Sequence, residues 1–353
     1  MLDQKTMAAR YNKSRGDFLQ SASKAGWHVE SIEHPQKGPA GISIYLDIAQ
    51  AGNKFADDLL MVSSGTHGIE GYLGSDIQTR LLHENVLDAS DEKRHLALVH
   101  GVNPYGFAWH RRVNEDNVDL NRNFIDFEAP LPVNESYAKL DDTLNPKAWS
   151  SDQAEKLGKT IDAMIERLGL PVVFQAISGG QYNFPDGVQY GGQGPTWSRT
   201  ILTNIWKQMM EGKKRAINLD LHSGLGECGT GVIMTYGEET QSRIQRARNM
   251  WGDLFLSPPA DGPGVITKGV VGPYLEGLCP KAEVLAVVLE FGTQPPEVVS
   301  RSIAADNWLH VHGDIDTPQG QEIKQGTLDA FYIDETGFRE MVYQRAAQVV
   351  SAM

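Results

Sequence analysis

The chain has 353 residues, 41% of them hydrophobic and 22% charged, a balance ordinary for a globular protein with a large core. Its formal net charge of -13 excludes the basic face that nucleic-acid binding or attachment to anionic membranes requires, so neither partner is expected. No run is long and apolar enough to cross a bilayer, and the opening Met1-Leu2-Asp3-Gln4-Lys5 lacks the apolar segment of a secretory leader, which predicts a cytoplasmic protein.

The spacing of Met7, Tyr11, Phe18 and Leu19 predicts a helix over residues 4–25, and alternating stretches around Trp27-His28-Val29 and over 42–46 predict strands. Four short apolar runs follow at 59–62, 96–99, 216–221 and 284–289, each ending in a cluster of Gly, Ser, Asn, His or Glu. Leu73, Ile77 and Leu81 at every fourth position, and later Ile161, Met164, Ile165 and Leu168, mark helices between them. Strands alternating with helices predict an α/β fold with a mixed, largely parallel central sheet and helices on both faces, its ligands collecting at the carboxyl ends of the strands. Residues 125–200, rich in Pro, Gly, Asn and acidic side chains, read as a loop-rich insertion with one helix, inside a single domain spanning 1–353. Phe338, Met341, Val342, Arg345 and Val349 predict a closing amphipathic helix, and Cys228 and Cys279, far apart and in no metal-like spacing, read as reduced buried thiols.

Glu290 follows directly on the apolar run 284–289. Desolvation there should raise its pKa toward the range of a general base. His67 and Glu70, three apart where the first of the four runs gives way to a helix, can turn an imidazole and a carboxylate toward one point, which suits Zn²⁺. Such a pair alone is weak, since about one is expected by accident in a chain with this many histidines. His222 ends the run 216–221 and would emerge on the same sheet edge; two His and one Glu leave a fourth position open, as a catalytic zinc site does. Asn103-Pro104-Tyr105-Gly106, Arg111-Arg112-Val113-Asn114 and Val118-Asp119-Leu120-Asn121-Arg122-Asn123 bring fork-shaped donors suited to a carboxylate or a developing oxyanion.

Together these motifs resemble the zinc carboxypeptidase family, the funnelins, in an uncharacterised bacterial branch: His-x-x-Glu, Asn-Pro-x-Gly, Arg, Asp-x-Asn-Arg, a His closing a strand and a late Glu occur in that order. The resemblance implies one Zn²⁺ per chain held by His67, Glu70 and His222, with Asp119 fixing the His67 tautomer. It implies that Arg112 polarises the scissile carbonyl, that Asn121 and Arg122 grip the substrate carboxylate, and that Glu290 takes a proton from zinc-bound water for the leaving amine. The chain departs from the pattern at Ile69, where many pancreatic-type members carry Arg, and the family's mobile tyrosine has only Tyr274 or Tyr236 as counterparts. A metallocarboxypeptidase-like hydrolase acting on small peptides and a deacylase of N-acyl amino acids both fit, with a binding protein that lost turnover as a third reading. The loop with Tyr190-Gly191-Gly192 and Trp197 is expected to cap the cleft or to lie as a glycine-turned surface loop; His310 and His312, and likewise His100 and His110, are expected to serve packing or the rim.

Overall fold

A computed structural model describes residues 2–235, 241–256 and 267–353. Among these residues eight strands form one sheet: β1 (His28–Glu33), β2 (Tyr45–Gly52), β3 (Asp58–Ser64), β4 (Arg94–His100), β5 (Arg215–Cys228), β6 (Gly231–Met234), β7 (Phe255–Leu256) and β8 (Glu283–Gly292). Their order is β1-β2-β4-β3-β5-β8-β6-β7. The four apolar runs of the sequence are the four central strands, all parallel, while β2 and β6 pair antiparallel on either side of them. The sheet is therefore mixed and largely parallel, as expected.

Ten helices of two turns or more lie among the described residues: α1 (Gln4–Lys24), α2 (Gly71–His83), α3 (Ser151–Leu168), α4 (Leu170–Ser178), α5 (Trp197–Met209), α6 (Gln241–Trp251), α7 (Val271–Leu278), α8 (Pro296–His312), α9 (Pro318–Phe331) and α10 (Thr336–Ser351). α1 starts where Asp3 accepts a hydrogen bond from the Thr6 amide, and it buries Met7, Tyr11, Phe18 and Ala22 on one stripe. The period of two along each strand then divides the core. Leu60, Val62, Leu219, Leu221, Leu285 and Leu289 face one side, covered by α1, α2 and α10, whereas Leu59, Met61, Ala216 and Val284 face the other, covered by α5 and α7.

On that second face the polar residues Asn218, Asp220 and His222 continue the phase of Ala216, and Glu290 continues that of Val284. The candidate chemistry thus occupies the carboxyl half of the face that α5 and α7 cover at its amino half.

Four sequence expectations differ from the structure. The insertion holds more helix than foreseen, because Gly169, at φ +85°, ends α3 and lets α4 follow at once. His310 and His312 stand exposed on α8 instead of packed in the core. β5 runs on past His222 to Cys228, through a shift in register after Ser223, so His222 lies inside the strand rather than at its end. Cys279 is half-buried but Cys228 is exposed, and neither is in a disulfide.

Candidate active site

The chain leaves β3 through a tight corner. Gly65, at φ +72°, turns it out of the strand. Gly68 lies so close to Gly106 that an added Cβ would sit 2.1 Å from the Gly106 carbonyl carbon. A 3₁₀ turn, Gly68–Glu70, then hands over to α2 and leaves His67 and Glu70 buried side by side.

His67 Nδ1 is 2.9 Å from Glu70 Oε1 and 3.2 Å from Nδ1 of His222, whose own Nδ1 is 3.0 Å from Glu70 Oε2. One ligand atom from each of the three residues lies within 4.8 Å of the others. Both imidazoles therefore present Nδ1, and Glu70 its carboxylate, to a common point.

The two Nε2 atoms face buried carboxylates instead. His67 Nε2 is 3.1 Å from Asp119 Oδ1, and His222 Nε2 is 2.7 Å from Asp220 Oδ2. The Asp220 pairing keeps the proton of His222 on Nε2 and its lone pair on Nδ1. The sequence reading singles out Asp119 but not Asp220. The signal was present, since a residue two before His222 on a strand must share its face. Ser63, level with Asp220 on β3, donates to Asp220 Oδ1 at 2.8 Å and holds that carboxylate in place.

Burial disfavours charge on these groups, yet their neighbours win. Arg112, Arg122 and His67 hold the Asp119 carboxyl well below its ordinary value, and His67 and His222 do the same for Glu70. Burial also works against a charged His222, but Asp220 and Glu70 push its imidazole well above the usual value. Replacing Asp220 by Asn keeps the shape and removes this partner. If His67, Glu70 and His222 hold a metal ion, its affinity should fall about 10–100-fold, with the fold intact, in a competition titration against a chromophoric chelator. Unchanged affinity would take Asp220 out of that role.

Glu290, 4% exposed, is level with His222 on the neighbouring parallel strand, so the two side chains share a face. The Leu225 amide donates to its Oε1 at 3.3 Å. Arg112 reaches in from the far side: its Nη1 is paired with Asp119 Oδ2, and its Nη2 is 2.8 Å from His67 Nε2. The adjacent Arg111 turns away to Asp306 at 2.9 Å and Asn117 at 2.8 Å, and so belongs to the framework.

Arg122 lies beside the same carboxylate, 3.6 Å from Asp119 Oδ2, with its Nη1 donating to the Asn121 carbonyl at 3.0 Å and its Nη2 to that of Ser178 at 2.6 Å. Asn121 Oδ1 accepts from the Val271 amide at 3.1 Å, which ties the Arg motif to the start of α7. Tyr274 is not gathered with these residues. Its hydroxyl is 3.5 Å from Thr203 and its ring lies 5.2 Å from that of Phe124, so it serves the packing of α7 against α5. Tyr236 falls outside the described residues.

The glycine-rich loop is held down. Asp119 N donates to Tyr190 O at 2.8 Å, Asn123 Nδ2 to Gly191 O at 2.8 Å, and the Tyr182 hydroxyl to Arg122 O at 2.6 Å. Beside Arg112 this leaves a narrow cleft, lined among others by Val188, Gln189, Ile303 and Phe331. One other cluster mimics a catalytic set: Ser75 Oγ is 2.9 Å from His100 Nε2, whose Nδ1 is 3.8 Å from Asp47. All three are buried, His100 stacks on Phe18, and Arg15 neutralises Asp47, which makes the cluster part of the core. His110 is likewise buried, 2.7 Å from the Tyr72 hydroxyl.

Comparison with curated proteins finds no match. Among solved structures, a metallopeptidase candidate from Shewanella baltica is similar at 15% identity and a TM-score of 0.45, over 87% of this chain and 92% of that one. Carboxypeptidase A from Helicoverpa armigera is similar at 13% identity and a TM-score of 0.43, over 89% and 71%. Succinylglutamate desuccinylase from Chromobacterium violaceum is similar at 15% identity and a TM-score of 0.38, over 86% and 75%. A family profile matches residues 7–345, nearly the whole chain, and the protein belongs to that family, described as "Protein of unknown function (DUF2817)".

Proposed function

We propose that the protein is a zinc-dependent hydrolase that cleaves an amide bond next to a free carboxylate. The convergence of His67 Nδ1, Glu70 and His222 Nδ1 on one point, with Glu290 level with His222 on the same face, is the observation that carries this reading.

The donor set suits the metal. Two imidazole nitrogens and one carboxylate favour zinc over calcium or magnesium, which prefer oxygen alone. The charges agree: the carboxylates of Glu70, Asp119, Asp220 and Glu290 outnumber the guanidiniums of Arg112 and Arg122 by two, which a dication would balance. Held there, zinc would supply a Lewis acid for the carbonyl oxygen and acidify water.

The chain's own residues supply the rest. Glu290 accepts a proton from the attacking water and delivers it to the departing nitrogen. Arg112 offers a fixed charge to the oxygen on which negative charge develops. Asn121 and Arg122 meet the substrate carboxylate, their backbone and side-chain partners having already set their positions.

A second reading, deacylation of an N-acyl amino acid on the same residues, draws support from the anchored loop. That loop leaves only a narrow cleft beside Arg112, which favours a short acyl group over a long peptide. The test is a screen of the zinc-loaded protein against dipeptides, longer peptides and N-acetyl and N-succinyl amino acids, each with a free or an amidated carboxyl group. We expect turnover on free carboxylates, falling at least about a hundredfold on amidation. Equal rates on both forms would sink the reading.

A further inference from the structure

Arg111, the neighbour of Arg112, leads away from the site into a buried set of charges. Its Nε is 2.9 Å from Asp306 Oδ2 on α8, and Lys324 Nζ on α9 is 2.5 Å from Asp306 Oδ1. All three side chains are at most 5% exposed. Two cations thus share one carboxylate, and burial pulls the Lys324 ammonium down to about 8 in spite of Asp306. Such a set is a poor source of stability, because apolar side chains of similar volume would fill the space without the cost of desolvating charges. What distinguishes it is the segment it holds.

That segment is strained. His110, just before Arg111, has φ +51°, a left-handed conformation that a residue with a Cβ keeps only where its surroundings enforce it. Its ring is fixed 2.7 Å from the Tyr72 hydroxyl, and its carbonyl oxygen lies 3.5 Å from Lys324 Nζ. Arg111 Nη2 donates to Asn117 Oδ1 at 2.8 Å, and Asn117 Nδ2 donates at 2.9 Å to Oδ1 of Asn307, the residue after Asp306. α8 therefore grips the loop at two points.

The loop in turn grips the corner that carries His67 and Glu70. The Arg112 carbonyl accepts from the Gly68 amide at 3.1 Å, and the Arg111 carbonyl from the Ile69 amide at 2.8 Å. A chain of direct contacts thus runs from Asp306 through Arg111 to the backbone on either side of the Arg112 side chain.

We propose that Asp306 is a positioning residue: through Arg111 it holds residues 110–112 against the 68–70 turn, and so sets where the Arg112 guanidinium meets the reacting oxygen. Lys324 holds the other oxygen of Asp306 and so fixes its carboxylate. The catalytic half of this rests on the hydrolase reading above, whereas the hold on the corner does not.

The test variant combines Asp306→Leu with Lys324→Met. It removes the acceptor and one cation together, so the buried set stays at one positive charge and the protein is expected to fold. In hydrogen exchange resolved by residue, the Gly68 and Ile69 amides should exchange at least about tenfold faster than in wild type, with those of Leu73, Ile77 and Leu81 in α2 unchanged. Unchanged protection at Gly68 and Ile69 would overturn the proposal. A loss of equal size throughout α2 would make the set a general support of the fold and overturn it too. Asp306→Asn, which keeps the shape and a weaker acceptor, should show the same local change in smaller measure, and none at all would count against Asp306.

On the best substrate from the screen, kcat of the double variant should fall about 10–100-fold, with KM within about threefold of wild type. In an Arg112→Ala background the same two substitutions should lower kcat less than about twofold, since the group they position is gone. An equal loss in both backgrounds would overturn the route through Arg112. If no compound in the screen is hydrolysed, the hydrolase reading falls and takes the catalytic half with it, while exchange at Gly68 and Ile69 still decides whether Asp306 holds the corner.

Discussion

Glu290→Gln is expected to lower kcat by between about a hundredfold and ten-thousandfold and to leave one zinc bound per chain. The substitution is nearly isosteric, and glutamine keeps an oxygen for the Leu225 amide that now donates to Glu290. The three proposed metal ligands sit on β5 and on the corner after β3, and none is disturbed. What disappears is the ability to accept a proton from water, and with it the delivery of that proton to the leaving nitrogen. KM should move little, because no binding group is lost. Steady-state kinetics on the best substrate from the screen, with metal content by atomic absorption, check both halves. Hydrolysis within twofold of wild type would remove Glu290 from the reaction; loss of zinc would make it a ligand instead of a base.

His222→Ala has the larger effect on the metal. It removes one of three ligands and strips Asp220 of its charge partner within a buried site. The loss in zinc affinity should exceed the 10–100-fold expected for Asp220→Asn, because a ligand matters more than the group that orients it. A second readout follows from linkage. A ligand that binds only the folded state stabilises it by about 2.7 kcal/mol at a hundred times its Kd, so added zinc should raise the wild-type melting temperature and leave that of His222→Ala unmoved. A full complement of zinc and an undiminished thermal shift in the variant would refute the ligand assignment.

The legible parts of this molecule were those where one residue's neighbours in sequence are also its determinants in space. The runs at 59–62, 96–99, 216–221 and 284–289 announced the four central strands because strands buried on both faces read as unbroken apolar stretches. β6 and β7, with four and two residues, are too short to stand out, and only their pairing with β8 and with each other defines them. Among the candidate site residues, His67, Glu70 and His222 stood in recognisable motifs, and the structure brings their ligand atoms together. Asp220 was hidden within an apolar run, where a period of two matters more than composition. Tyr274 illustrates the opposite limit: an isolated tyrosine carries no sign of its direction, and here α5 and Phe124 engage it. The loop after Gly179 could be read as rich in turns, but not as anchored, because its carbonyls at Tyr190 and Gly191 meet Asp119 and Asn123, and its Tyr182 hydroxyl meets the Arg122 carbonyl, all far away in the chain.

The strands that carry the ligands and Glu290 are immediate neighbours, β3 beside β5 and β5 beside β8, although His67 and His222 are 155 residues apart in the chain. None of the three-residue ligand set can form by local folding. The parallel β3–β5 ladder closes only after the whole segment between them has been looped out, an entropic cost that grows slowly with loop length but delays the contact. Uptake of the proposed zinc during refolding would therefore report when that ladder has closed. Arg112, Asp119, Asn121 and Arg122 lie within that looped segment, so the closure that joins the proposed ligands also delivers the residues around them.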